Sequence, residues 1–135
     1  MGEFSLDQIP RLRRTKKYVA SDYWLIKRFF DLFPLKVTTP NILTEISNLS
    51  GDVPGELKSR FFDCLSANFK LLGEHYVPSK TAAASPIFSR FGLTDATLLE
   101  LAETYLVVTD DFPLSNYLTS IKADVINFNH LRFQT

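Results

Sequence analysis

The run Leu106-Val107-Val108-Thr109-Asp110-Asp111-Phe112-Pro113-Leu114, taken with Asp124 to Phe128 further along, decides how this chain is read. Leu106 to Thr109 is the kind of apolar strand found buried in a parallel sheet. Pro113 suits the start of a helix, expected to reach about Ile121. Asp124 to Phe128 then supplies another strand. Strand, helix and strand at this spacing make a βαβ unit and predict an α/β domain with a parallel, helix-covered sheet.

Working outward toward the amino terminus, Thr94 is placed as the N-cap of a helix through about Tyr105, with Leu98, Leu99, Leu101 and Ala102 on its buried face. Ser85-Pro86 to Gly92 reads as a loop, Ser79 as the start of a short Ala-rich helical turn, and His75-Tyr76-Val77 as an extended piece. From about Pro54 to Gly73 the stripe Leu57, Phe61, Leu65, Phe69 and Leu72 predicts a long helix. Pro40 opens a shorter helix carrying Ile42, Leu43, Ile46 and Leu49, which Gly51 can terminate. Lys36 to Thr39 is β-prone, and Ser21 is expected to cap a helix through Phe33 that Pro34 stops.

Composition bounds the class. With 135 residues, 45% of them hydrophobic and twelve Phe, the chain has the apolar mass of one globular domain over residues 1–135. Its one cysteine, Cys64, lies in an apolar stretch and reads as core, so a disulfide framework is impossible and a thiolate zinc site lacks its ligands. No apolar run reaches the roughly 18–20 residues of a membrane span, and no signal-peptide layout opens the chain. A cytoplasmic protein without a membrane partner is expected. Formal net charge is zero, which argues against binding through an overwhelming positive field. The charges are nevertheless uneven. Arg11, Arg13, Arg14, Lys16 and Lys17 form a basic strip, and acids prevail from Thr94 to Asp111. Such a pairing suits a polyanion handled with metal ions, although a lone charge run is ordinarily a solvated face.

In open α/β sheets ligands bind beyond the carboxyl ends of the strands. Glu45, one turn into the helix after Thr39, Asp95, the first helical residue after the Thr94 cap, and Asp110 and Asp111 directly after Thr109 all map to that edge. Mg²⁺ and Mn²⁺ take hard oxygen ligands and keep several waters, so a few carboxylates from separate elements suffice. Each acid also has an ordinary structural reading: Asp95 as a first-turn residue complementing the helix dipole, Asp110-Asp111 as turn residues, Glu45 as a solvated position.

The segments Gly92-Leu93-Thr94-Asp95-Ala96 and Val107 to Leu114 closely resemble the carboxyl-terminal half of PIN-domain ribonucleases, and Val37 to Ile46 resembles that family's second acidic element. The resemblance implies a three-layer α/β/α fold and metal-dependent cleavage of RNA with Mg²⁺ or Mn²⁺. It also implies that Glu45, Asp95 and Asp111 are metal-binding acids, with Asp110 a weaker neighbour and Thr94 and Thr109 in support. Many members are toxins of toxin–antitoxin pairs, so an antitoxin protein joins RNA as an expected partner, and a homodimer is a further expectation because an unpaired strand edge invites addition of a second copy. One departure stands out: the family's central first strand carries an Asp, and no such strand precedes Ser5. A chain shortened at its amino terminus is the favoured explanation, with a degenerate relative and a strand supplied by another chain as the alternatives. The rival function is a catalytically inactive RNA- or protein-binding module.

His75 and His130 lack partners at recognisable catalytic spacing and read as structural and surface residues. Tyr23, Trp24, Phe29, Phe30 and Phe33 could stack bases, but their spacing equally suits packing.

Overall fold

The computed structural model describes residues 20–134, which divide between two compact units, one running to His75 and the other beginning at Tyr76. The basic strip Arg11 to Lys17 lies outside the described residues, as do Met1 to Ser5.

In the first unit, helix α1 (Ala20–Asp31) is followed by strand β1 (Val37–Thr38) and helix α2 (Pro40–Ser47). Ser21 sits inside α1 rather than capping it, and the helix ends before Phe33. Thr39 is fully buried and caps α2, its hydroxyl accepting the Ile42 N–H at 3.3 Å, while Pro40 occupies the first turn.

Two 3-10 turns, Asn48–Asp52 and Gly55–Leu57, precede helix α3 (Lys58–Phe69). The long helix expected from Pro54 therefore starts later. Pro54 is itself extended (φ −54°, ψ 142°), and Gly55–Leu57 forms a 3-10 turn before α-helical geometry begins at Lys58. It also stops earlier, because Gly73–Glu74 forms strand β2 and pairs in parallel with β1, Val37 opposite Gly73 and Thr38 opposite Glu74. Glycine suits that register: a Cβ on residue 73 would lie 3.3 Å from the Lys36 carbonyl oxygen. Val53, Phe61 and Leu65 form the buried cluster, with Ile46, Leu49, Leu57, Cys64 and Phe69 packed against it.

The second unit contains helices α4 (Ser79–Ala83), α5 (Phe88–Phe91) and α6 (Leu93–Ala102), strand β3 (Val107–Thr109), helix α7 (Phe112–Ser120), strand β4 (Val125–Asn127) and helix α8 (Phe128–Gln134). β3 and β4 are parallel, in the register Val107 to Val125, Val108 to Ile126 and Thr109 to Asn127, so β3, α7 and β4 are the expected βαβ unit. Val77, Ala82, Ile87, Ala96, Ala102, Val107, Leu114 and Leu118 form its core.

Both sheets have two strands, and the molecule is a mixed helix and strand structure with short parallel pairs. The larger parallel sheet expected from the sequence is not formed among the described residues. Strands of two or three residues carry few ladder hydrogen bonds, so the helices that cover them supply most of the burial. Phe128 leaves the expected last strand and opens α8, an element with no counterpart in the sequence reading.

Two backbone devices set the helix ends in this unit. Gly92, at φ +87° and ψ −179°, donates its N–H to Phe88 O to close α5 and accepts from Ala96 N to open α6. One residue thus ends a helix and begins the next, in a conformation that is essentially reserved for glycine. Thr94 is consequently not the cap: it lies within the first turn of α6, and its carbonyl accepts the Thr97 hydroxyl at 2.6 Å. Gly92→Ala is expected to lower stability by about 1–3 kcal/mol, read as a fall in urea midpoint at constant m-value.

At the other end of the βαβ unit, Lys122 adopts a left-handed φ of 63°. It donates to Thr119 O while Ala123 N donates to Leu118 O, the paired bonds of a Schellman stop for α7.

Candidate acidic edge of the second parallel pair

The carboxyl ends of β3 and β4 share one edge because the strands are parallel, and both chains turn there by the same means. Thr109 Oγ1 accepts the Asp111 N–H at 3.1 Å, and Asn127 Oδ1 accepts the Asn129 N–H at 2.9 Å. In each case a polar side chain at the last strand residue holds the backbone two residues on. The two turns are tied together, Asn129 Nδ2 donating to Asp110 O at 3.1 Å, and Arg132 Nη1 donates to Asn129 Oδ1 at 3.3 Å.

Asp111 is the N-cap of α7, its Oδ1 accepting the Leu114 N–H at 2.8 Å and its carbonyl accepting from Ser115. The cap satisfies one of the otherwise orphaned N–H groups of the helix and places a negative charge at its positive end. Asp110 and Asp111 are both half-buried, as is Thr109. Asp95 is half-buried in the first turn of α6, the helix that packs on β3 and α7. Because α6 hands over to β3 through residues 103–106 and packs on it, it runs back against the strand.

Glu45 belongs to the first unit, where it is solvent-exposed on α2. Among the described residues, no three Asp, Glu, His or Cys side chains come together as a group able to hold a metal ion. Of the acids singled out from the sequence, the second unit holds Asp95, Asp110 and Asp111.

Sequence reasoning overlooked Asn127 and Asn129. Asn127 is buried at 3% exposure, and its Nδ2 has no hydrogen-bond partner among the described residues. Its signal was legible as a polar residue at the end of an apolar strand, in a position equivalent to Thr109. His130 is exposed on α8 and His75 is exposed just after β2. Cys64 is packed against the first unit's core, its carbonyl accepting from Asn68 Nδ2 at 2.9 Å.

Aromatic residues of α1 contact one another and Phe33 just beyond it, Tyr23 with Trp24 at 5.0 Å and Phe29 with Phe33 at 5.3 Å between ring centroids, while Trp24 stays 48% exposed. An open concavity of about 440 Å³ in the first unit is lined by Ser47, Phe62, Leu65, Ser66, Phe69 and Lys70, and none of these is an acid. Its walls can hold an apolar group but offer no hard ligand for a cation. Among the described residues, no helix is long and apolar enough to cross a membrane. No family model matches the chain, and comparisons with curated proteins and with solved structures find no match.

Proposed function

We propose that this chain is a metal-dependent endoribonuclease module of the PIN type, with a three-layer α/β/α fold and RNA as its substrate. The observation that carries the reading is the acid-bearing edge of the β3 and β4 pair, where Asp110 and Asp111 follow directly on a strand and the turn that bears them is tied down by Thr109 and Asn129. The resemblance of residues 92–96 and 107–114 to PIN-domain ribonucleases supports it. Carboxylate oxygens are the donors that Mg²⁺ and Mn²⁺ prefer, and Mg²⁺ is commonly held by one or two carboxylates plus substrate phosphate, which is the chemistry that Asp95, Asp110 and Asp111 offer.

When bound, such an ion supplies Lewis-acid stabilisation of the phosphoryl group and lowers the pKa of water. The chain's own residues do the rest. Thr109 fixes the backbone of Asp111, and the α7 cap restrains its carboxylate, so this acid is oriented before substrate arrives.

A second reading, a binding module without turnover, draws on the lack of a three-acid group among the described residues. The two separate in one assay. Cleavage of a single-stranded RNA by the full chain in Mn²⁺ is expected to be abolished by EDTA and restored by added Mn²⁺, and to be lost in Asp95→Asn with the fold retained by circular dichroism. RNA binding without cleavage, together with no calorimetric Mn²⁺ binding, selects the second reading instead.

A further inference from the structure

At the end of β4 the Asn127 side chain is used on one side only. Its Oδ1 accepts the Asn129 N–H, which assigns the amide orientation, and its Nδ2 is buried without an acceptor. Holding the turn explains the oxygen alone, because Asp or Ser at this position would accept the same N–H. Leaving an amide donor unmet in a buried place is costly, and native structures keep few such groups. The nitrogen therefore calls for an oxygen that the described residues do not supply.

Its surroundings limit what that oxygen can belong to. Asn127 is in register with Thr109, and the half-buried Asp110 and Asp111 follow Thr109 directly. Their carboxylates add negative charge and accept hydrogen bonds, so an anion approaches this edge only with a cation between. A phosphate oxygen meets both needs, with one oxygen toward the ion and another toward a neutral donor. Asp110, Asp111 and Asn129 are only half-buried, so the turns at this edge lie at the surface, and binding requires them to shift to admit the acceptor to the buried nitrogen.

We propose that Asn127 Nδ2 is a substrate-positioning donor to a non-bridging phosphate oxygen of RNA. The proposal rests on the ribonuclease reading for its ligand class and on the buried unmet donor for the residue.

The test is the affinity of a fluorescein-labelled single-stranded RNA for the full chain, by anisotropy, in Mg²⁺ and again in EDTA. Asn127→Ser keeps an acceptor for the Asn129 N–H and removes the amide nitrogen. It is expected to weaken RNA binding in Mg²⁺ about 10-fold or more, as loss of a charge-assisted hydrogen bond does, while melting temperature and Mn²⁺ affinity by calorimetry stay near wild type. Should Ser at this position fold poorly, Asn127→Thr keeps a neutral hydroxyl acceptor for the turn, as Thr109 does on the paired strand, and the same loss of RNA affinity is expected.

Unchanged RNA affinity in either folded variant overturns the assignment, as does a wild-type chain that binds no RNA. A wild-type chain that binds RNA but never cleaves it overturns the ribonuclease reading instead. In that case the Asn127 assignment stands or falls on the affinity ratio.

Discussion

Asp111→Asn is expected to lose at least about 100-fold in metal-dependent RNA cleavage, on the order of 3 kcal/mol of transition-state stabilisation, while its melting temperature stays near wild type. The separation arises because Asp111 serves in two ways that the substitution pulls apart. As N-cap it needs only an oxygen acceptor for the Leu114 N–H, held at 2.8 Å, and asparagine caps helices about as well as aspartate. As a metal ligand it needs the negative charge, which the amide lacks.

Asp111→Ala removes both and is expected to add a stability loss of about 1 kcal/mol. Single-turnover cleavage in Mn²⁺ alongside thermal melts of wild type, Asp111→Asn and Asp111→Ala gives the comparison. Equal cleavage by wild type and Asp111→Asn would remove this acid from the proposed site and leave it as a helix cap.

The largest stability effect is expected in the helix between the two strands. Leu118→Ala should destabilise the chain by about 2–5 kcal/mol, since Leu118 is fully buried in the cluster that also holds Leu114 and Val107, and truncating it costs both transfer free energy and a cavity. For a small domain that corresponds to a fall in melting temperature on the order of 10 °C or more. Phe112, in the same helix but 57% exposed, is the control: Phe112→Ala should fall within about 0.5 kcal/mol of wild type. A similar loss from both substitutions, measured by urea unfolding, would mean that α7 is not docked through its Leu114 and Leu118 face.

The success and failure of the sequence reading follow the range of the interactions involved. Pro40 after Thr39 marked the start of α2 because capping and the proline φ constraint act within four residues. The β3, α7 and β4 order was legible for a similar reason: an apolar run, a proline and a second β-prone run are local patterns, and a parallel connection follows from their spacing. The helix expected from Pro54 begins only at Lys58, because Pro54 stays extended at ψ 142° and a 3-10 turn intervenes, which a stripe of apolar residues does not distinguish from an α-helical turn. Thr94 was misjudged as a cap because Gly92 turns the chain first, through a φ of +87° that a propensity argument does not see.

For the candidate site, local sequence was enough to identify Asp110 and Asp111 as residues at a strand end and Asp95 as a first-turn acid, since each statement concerns a residue and its immediate neighbours. The pairing of β3 with β4 in one register was beyond its reach. So were the bond from Asn129 to the Asp110 carbonyl and the burial of Asn127 with one amide hydrogen-bonding group satisfied and the other not. These depend on segments about twenty residues apart meeting at one edge. Hydrogen bonding and burial across such a gap arise from packing, for which a run of amino acids carries no local signal.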